Sequence, residues 1–227
     1  MAPQTGLAVL LLGLVGSAFG QTVVSLTAES DFIFRGVSLT DGKPTASASL
    51  DYDSPDGWYA GGSATAVELY SSKRQAALFG YFGYAQRTVS GLSWEIGATG
   101  AHFAADSRYD YGEAFAGFIA QGWNARVYLS PSYFGSGVRT LYAELNGAAP
   151  LAGSWRLFAH VGALSPISGG EATDSRRARF DARLGVSTTI GPAEWRFAWV
   201  GATRSGLHPT SYSDQRNALV LSATCFF

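Results

Sequence analysis

The sequence predicts an all-β protein, a transmembrane antiparallel up-and-down β-barrel of about twelve strands that follows a cleavable signal peptide. Three observations lead to this prediction. The chain begins with a short apolar run, most of the remainder alternates between apolar and polar residues, and tight turns alternate with longer connections. Since no linker divides the 227 residues, we expect a signal peptide at residues 1–20 and one barrel domain at residues 21–227.

The N-terminal segment is typical of an export signal. Leu7–Phe19 is apolar, and Ala18-Phe19-Gly20 has the small residues of a cleavage site. The run is shorter than the ~20 apolar residues that a membrane-spanning helix needs. After residue 20, the longest stretch without Asp, Glu, Lys or Arg has 14 residues, which excludes a helical membrane protein. We therefore expect export to the outer membrane of a Gram-negative cell.

Alternation with a period of two indicates the strands. Residues 155–161 place Trp, Leu, Ala and Val on one face and Arg, Phe and His on the other, and residues 180–186 and 195–199 repeat the pattern. One strictly apolar face per segment is what a lipid-facing strand requires. The segments with this pattern are 22–36, 44–53, 57–69, 74–87, 91–105, 110–121, 122–134, 138–150, 153–165, 178–190, 193–204 and 215–227.

The connections between these segments differ in length in a regular way. The tight ones are Ser54–Gly57, Ser90–Gly91, Gln121–Gly122, Pro150–Gly153 and Gly191–Pro192. The longest ones, Pro166–Ala178 and Ser205–Asp214, belong to the alternate set. Short turns at one rim and longer loops at the other are characteristic of outer-membrane barrels, with the short turns in the periplasm.

A tryptophan follows each tight turn within four residues. Tryptophan favours the membrane–water interface because its ring is apolar and its N–H group needs a polar partner. The alternative is that these side chains fill a soluble core. The predicted periplasmic aromatic girdle consists of Trp58, Trp94, Trp123, Trp155 and Trp195.

The last segment carries a second indication of an outer-membrane barrel. Its apolar face includes Leu219, Leu221 and Cys225 and ends at Phe227. A terminal aromatic residue on an amphipathic strand resembles the signal that the outer-membrane insertion machinery reads. The predicted partners are therefore this machinery and the lipid bilayer of the outer membrane.

A motif near the start of the predicted mature chain resembles a known family. Ser30-Asp31-Phe32-Ile33-Phe34-Arg35-Gly36-Val37-Ser38-Leu39-Thr40 is similar to the signature of the TorF family of proposed porins, and the similarity continues through Gly57-Trp58-Tyr59-Ala60-Gly61. The resemblance implies an outer-membrane barrel with a pore role. From the alternation itself, we expect Phe32 and Phe34 on the lipid face of the first strand.

If the apolar face of each strand contacts lipid, the charged residues on the opposite face point into the lumen. We expect them either to line a water-filled channel or to form a salt-bridged plug that fills a narrow barrel. The predicted lumen-lining residues are Glu29, Asp31, Arg35, Asp51, Asp53, Glu95, Arg126, Glu144, Arg156, His160, Asp181, Arg183 and Arg196.

Other chemistry has little support in the sequence. The formal net charge is −1, which gives no long-range attraction for nucleic acid. The single cysteine excludes an intrachain disulfide, and no spacing of Cys and His residues indicates a metal or cofactor site. Ser187 and Asn146 could be combined with His160 into a lipid-hydrolase triad, but no local motif specifies one. We predict no enzymatic activity and no catalytic residues.

These observations favour a small outer-membrane channel that passes small polar solutes through a narrow charged lumen. A closed structural barrel, or a surface-interaction barrel with Pro166–Ala178 and Ser205–Asp214 as binding loops, is the main alternative. A membrane-embedded lipid hydrolase is a third hypothesis.

Overall fold

A closed antiparallel barrel of twelve strands accounts for most of the chain. The computed structural model describes residues 20–69, 74–89, 91–168, 178–203 and 217–227. Each barrel strand pairs with the next one along the chain, and the last pairs with the first. The barrel strands are β1 (Gln21–Glu29), β4 (Thr45–Asp53), β5 (Trp58–Glu68), β6 (Arg74–Arg87), β7 (Ser93–Phe103), β8 (Tyr111–Ala120), β9 (Trp123–Ser130), β10 (Arg139–Pro150), β11 (Arg156–Ser168), β12 (Arg179–Ile190), β13 (Ala193–Ala202) and β14 (Asn217–Phe226).

Four short elements lie between barrel strands. Strands β2 (Ile33–Phe34) and β3 (Val37–Ser38) pair only with each other, between β1 and β4. Two 3₁₀ turns, η1 (Ser107–Tyr109) and η2 (Tyr133–Gly135), lie in the connections that follow β7 and β9. No helix among the described residues is long and apolar enough to cross a membrane.

The two faces of the barrel differ as the alternation predicts. Leu26, Leu145 and Leu184 lie near the middle of their strands and are 52%, 47% and 52% exposed on the outer face. Their neighbours along each strand point inward and are mostly polar. An outer belt of exposed leucine would be unfavourable in water but suits contact with lipid.

The two ends of the barrel also differ, and we name them by their connections. The turn end carries the start of β1, the end of β14 and the tight turns, and the loop end carries the longer connections. At the turn between β4 and β5, Gly57 adopts a φ of 91°. A Cβ atom there would lie 2.3 Å from the carbonyl oxygen of Ala85, so both the backbone and the space require glycine.

The predicted strands agree with the structure except in two places. The first predicted segment, 22–36, is wrong in its second half because β1 ends at Glu29 and the chain then turns into the barrel. The predicted segment 122–134 is too long because β9 ends at Ser130 and is followed by η2. The other segments match to within three residues at each end.

Some predictions concern residues that the structure does not describe. The predicted signal peptide lies there almost entirely, since the description begins at Gly20. The proposed binding loop 205–214 and most of 166–178 lie outside the described ranges as well. The signal peptide and the loop functions therefore stay predictions.

Candidate functional site in the barrel interior

Residues 31–40, which we call the inner hairpin, fold into the barrel from the loop end. The backbone N–H of Leu39 donates to the carbonyl oxygen of Phe32, and the N–H of Glu68 on β5 donates to the carbonyl oxygen of Leu39. On the opposite side, the Arg183 guanidinium on β12 donates to the carbonyl oxygen of Ile33. The hairpin thus makes contacts on both sides of the lumen.

The expectation that Phe32 and Phe34 face lipid is wrong. Their side chains are 5% and 8% exposed, and each ring packs 5.8 Å from the ring of Phe79 on the inner face of β6. Since they follow the end of β1, their alternation with polar residues belongs to the hairpin and not to a membrane strand. Their burial removes apolar surface from water inside the barrel.

The inner hairpin contributes to an apolar core in the loop-end half of the lumen. Inward side chains of several strands and the two aromatic residues of η2 complete this core. Such packing resembles the interior of a soluble protein. Its buried members include Phe32, Phe34, Val37, Leu39, Val67, Phe79, Phe103, Phe115, Tyr133, Phe134 and Leu164.

Arg35 occupies a strained backbone position at the tip of the hairpin. Phe34 pairs with Val37, so Arg35 and Gly36 form a two-residue turn with φ values of 46° and 72°. Both values lie in the left-handed region, where asparagine and glycine are favoured and arginine is rare. An arginine that remains there must be held by its side chain.

The side chain of Arg35 is fixed by one carboxylate and four aromatic rings. Its Nη1 and Nη2 atoms donate to the two carboxylate oxygens of Glu113 on β8, at 2.9 and 2.5 Å. The side chains of this ion pair are 5% and 1% exposed. The Arg35 Cζ atom lies 4.0–5.4 Å from the centroids of four rings, those of Phe34, Tyr128, Tyr133 and Tyr142.

Asp31 stabilises the base of the inner hairpin. Its Oδ1 atom accepts hydrogen bonds from the hydroxyl groups of Ser38 and Thr40, at 2.5 and 2.7 Å. Burial raises the pKa of this carboxyl group above its ordinary value of 3.8, and the two hydrogen bonds oppose that shift. The predicted lumen-lining Asp31 is therefore part of the hairpin and not of a barrel strand.

The raised pKa of Asp31 gives a prediction for the pH dependence of stability. A group whose pKa is higher in the folded state contributes stability below its unfolded pKa, and that contribution is lost as the pH rises through the folded pKa. The amide oxygen of an asparagine side chain at this position can accept the same hydroxyl hydrogen bonds without a charge. The Asp31→Asn variant should therefore gain stability relative to the wild type as the pH rises from about 3 to 7.

Urea unfolding at a series of pH values, followed by tryptophan fluorescence, measures this difference. Asp56→Asn, at an exposed carboxylate in the turn before β5, is the control substitution. A wild type that gains stability over Asp31→Asn with rising pH would contradict the prediction.

Below the inner hairpin, a second buried ion pair crosses the lumen surface. The Arg126 Nε and Nη2 atoms on β9 donate to the carboxylate of Glu95 on β7, at 2.5 and 2.9 Å. The Tyr59 hydroxyl donates to the same carboxylate at 2.6 Å. The side chains of Arg126 and Glu95 are 6% and 0% exposed, so each charge depends on the other for compensation.

His160 on β11 belongs to a third polar cluster. Its Nδ1 atom lies 2.7 Å from Oδ1 of Asn146, and its Nε2 atom lies 2.8 Å from Oδ1 of Asp181. The Tyr142 hydroxyl lies 3.1 Å from Nε2. Both ring nitrogens are thus engaged by these groups, while Ser187 pairs with Arg156 in the β11–β12 register and not with His160.

Strands β1, β4 and β5 present only small hydroxyl side chains over part of the lumen. In the pairing register, Ser25 is opposite Ser49 and Ser49 is opposite Ser63. In the next inward row, Thr27 is opposite Ser47 and Ser47 is opposite Thr65. We call this surface the hydroxyl wall; its members are Ser25, Thr27, Ser47, Ser49, Ser63 and Thr65.

A cavity of about 70 Å³ lies between the hydroxyl wall, the inner hairpin and the charged side chains of β8–β10. All six wall residues line it, together with Arg35 and Glu113. By the same measure, one water molecule needs roughly 10–15 Å³, so the cavity has room for several. The small residues on one side of the barrel leave this space unfilled.

The structure places most of the predicted lumen residues on the inner face. The buried ones on barrel strands are Asp51, Glu95, Arg126, Glu144 and Asp181. Inward-facing and partly buried ones are Glu29, Asp53, His160, Arg183 and Arg196. Arg156 is exposed at the turn end, and Asp31 and Arg35 are buried in the inner hairpin. That any of them contacts a passing solute stays a prediction.

Among the residues that the structure describes, three charged ones on the inner face were missed by the sequence prediction. Glu113 is the ion-pair partner of Arg35, Glu194 pairs with Arg196, and Arg179 donates from Nη2 to the carbonyl oxygen of Gly36. Strict alternation along β8 places Glu113 on the inner face. Its neighbours on that face, Tyr111 and Phe115, are aromatic, so the inner face of β8 is not recognisable as polar from the sequence.

The predicted girdle tryptophans lie on the outer face at the turn end. Trp58, Trp123, Trp155 and Trp195 are 57%, 42%, 48% and 41% exposed, and Trp94 is partly buried. Trp58 and Trp94 both pack against Tyr84, with ring centroids 5.1 and 5.8 Å away. Their contact with a membrane interface stays a prediction.

Among the described residues, no group of three or more His, Cys, Asp or Glu residues could hold a metal ion. The described interior contains buried ion pairs, aromatic rings and hydroxyl groups. These groups can bind, orient or exclude a polar solute.

Comparisons with solved structures give the same architecture. The KdgM porin has a TM-score of 0.55 and 8% identity, covering 90% of this chain and 99% of that one. The KdgM porin in complex with disordered oligogalacturonate has a TM-score of 0.57 and 6% identity, with coverage of 91% and 99%. LpxR from Salmonella typhimurium has a TM-score of 0.50 and 9% identity, with coverage of 90% and 99%.

At such low identities the structural similarity shows the fold alone, which is that of outer-membrane β-barrels. No curated protein matches the chain in sequence. The TorF name suggested by the motif at residues 30–40 stays a prediction. A family model, described as a bacterial protein of unknown function (Gcw_chp), matches residues 17–224, and the chain therefore belongs to the Gcw_chp family.

Proposed function

We propose that this protein is an outer-membrane channel for small polar solutes and that the inner hairpin narrows its lumen. The hydroxyl wall is the observation that carries this proposal. A barrel that is only structural can fill its interior with large side chains, whereas three adjacent strands here place serine and threonine along a cavity. Hydroxyl groups exchange hydrogen bonds with water and with polar solutes at low cost.

The outer face supports the membrane location in this proposal. Apolar side chains surround the barrel, and tryptophans lie at the turn end, as expected for a periplasmic interface. The shared fold with a porin is consistent with a channel. In this orientation, the inner hairpin enters the lumen from the extracellular side.

Thiol labelling tests whether the hydroxyl wall is open to water. In a Cys225→Ala background, Ser49→Cys places a thiol on the wall, and Leu50→Cys places one on the opposite, lipid-facing side of the same strand. We expect a small charged methanethiosulfonate reagent to modify the Ser49→Cys variant in lipid vesicles and to lower its single-channel conductance in planar bilayers. The Leu50→Cys variant should not react, because a charged reagent does not enter lipid.

Negative results in both the conductance and the labelling measurements would count against the channel. An inserted, correctly folded wild type that gives no conductance steps over many insertions, with an unreactive Ser49→Cys variant, would overturn the proposal. Heat-modifiable migration on gels establishes correct folding in each case.

A closed barrel is the second candidate, and one observation favours it. Both Arg35–Glu113 and Arg126–Glu95 are ion pairs with almost no exposed surface, and the loop-end half holds a packed core. Lumen side chains in a wide aqueous pore would be accessible to water. The conductance and labelling experiments separate this candidate from the channel.

The lipid-hydrolase hypothesis has least support. A triad requires a nucleophile that can transfer its proton to histidine, but Asn146, Asp181 and Tyr142 engage both nitrogens of His160. We therefore propose a non-enzymatic role.

A further inference from the structure

The pocket that holds Arg35 has the features of a binding site for a guanidinium ion. Glu113 offers two oxygens in the geometry that matches the two terminal nitrogens of a guanidinium group. Tyr128, Tyr133 and Tyr142 present rings to the same cation, with centroids 5.0, 5.4 and 4.0 Å from Cζ. Aromatic rings around a desolvated cation stabilise it through their negative faces. We call these four residues the guanidinium cage.

Contacts with residues other than Arg35 hold the three tyrosine rings of the guanidinium cage in place. The Tyr128 hydroxyl donates to the Glu144 carboxylate at 2.9 Å, and the Tyr142 hydroxyl lies 3.1 Å from Nε2 of His160. The Tyr133 ring packs 5.1 Å from the ring of Tyr111. Because these contacts belong to β8–β11 and η2, the three rings can keep their positions around Glu113 when the hairpin leaves.

Arg35 itself is positioned to be exchanged. It reaches the cage from a turn with unfavourable backbone angles, and the cavity beside the hydroxyl wall includes both Arg35 and Glu113 in its lining. A solute that enters the cavity therefore meets the ion pair directly. A solute with its own guanidinium group can make the same contacts without a strained turn.

We infer that the guanidinium cage is a binding site for small guanidinium-bearing solutes, which take the place of Arg35 and release the inner hairpin. This inference rests on the proposed channel function and names the class of solute that the channel takes. The bidentate carboxylate distinguishes a guanidinium from an ammonium group, and the charge distinguishes it from a neutral urea of the same shape.

A variant with an empty cage gives the first test. In Arg35→Ala, millimolar methylguanidinium should raise the thermal unfolding midpoint, because a ligand that binds only the folded state stabilises it. Methylurea, which is neutral and nearly isosteric, should have no effect. Adding Glu113→Gln should weaken methylguanidinium binding by about tenfold or more.

A second variant keeps Arg35, and the rate of thiol modification in it reports whether the hairpin is released. Val37, which is 1% exposed, is replaced by cysteine in the Cys225→Ala background. Methylguanidinium should speed modification of this thiol several-fold, and methylurea should not. This measurement remains informative if Arg35→Ala does not fold.

Uptake of solutes by vesicles that contain the wild-type protein distinguishes a failure of the guanidinium inference from a failure of the proposed channel function. Faster entry of labelled methylguanidinium than of methylurea supports the inference. Equal entry of both solutes, with no stabilisation of Arg35→Ala and no faster labelling at position 37, overturns the inference and leaves the channel intact. If neither solute enters, the channel function fails.

Discussion

Shortening the inner hairpin is expected to raise the ionic conductance of the barrel several-fold. In the proposed variant, Gly-Gly replaces residues 33–38. Phe32 and Leu39 are already joined by a backbone hydrogen bond of 2.8 Å, so a two-residue turn can connect them. Glu113 is changed to Gln in the same variant, because a buried carboxylate left without its arginine costs about 3–5 kcal/mol.

The expected increase has a steric cause. The removed segment contains Phe34, Arg35 and Val37, which are at most 8% exposed and occupy the lumen at its loop end. Without them, the space beside the hydroxyl wall extends toward that end. Single-channel recording in planar bilayers measures the conductance, and heat-modifiable migration confirms that the barrel forms.

Glu113→Gln with an intact hairpin is the matched control for the change in charge. If the shortened variant folds and conducts no better than this control, the inner hairpin is not the constriction. The proposal that the hairpin narrows the lumen would then be wrong.

Introducing a charge at the centre of β10 is expected to destabilise the barrel in a bilayer by about 2–4 kcal/mol. Leu145 lies in the middle of β10 and is 47% exposed on the outer face. A Leu145→Arg side chain at that level would contact hydrocarbon. In water the same substitution at an exposed position would cost little.

Leu151→Arg is the matched control, in the turn that follows β10. Leu151 is 54% exposed, and at the membrane interface an arginine should cost about 0–1 kcal/mol. Urea unfolding from lipid vesicles gives both free energies of unfolding. Equal, small effects for the two variants would show that the outer face of β10 is not embedded in lipid.

The barrel could be predicted from the sequence because its pattern is local. In residues 155–161, alternate positions must face lipid, so every second residue is apolar and the strand is recognisable without its neighbours. Tight turns such as Ser54–Gly57 then delimit the strands. The C-terminal half of the first predicted segment failed because Phe32 and Phe34 alternate with polar residues for another reason, which is burial inside the lumen.

The candidate site could be predicted only in part, because it depends on contacts that are distant in sequence. The inward position of Arg126 and Glu95 follows from alternation, but their pairing depends on the barrel register. Arg35 and Glu113 are 78 residues apart, and no local feature of either residue indicates the other. Gly36 is the local sequence feature that fits the left-handed turn at Arg35-Gly36, which lies at the tip of the inner hairpin and not at the end of β1.

The inner hairpin also has a consequence for the order in which the molecule assembles. It follows directly after β1, yet its partners include Arg179 and Arg183 on β12, 143 and 150 residues away. Ile33 further clusters with Val200 of β13 and Val220 of β14. The pairing of β1 with β14 spans five residue pairs, whereas β10 and β11 form twelve. Contacts of such long range have a high cost in chain entropy until the strands between them have paired. We therefore expect the inner hairpin, although it is synthesised near the beginning, to take its place only after the last strand has closed the barrel.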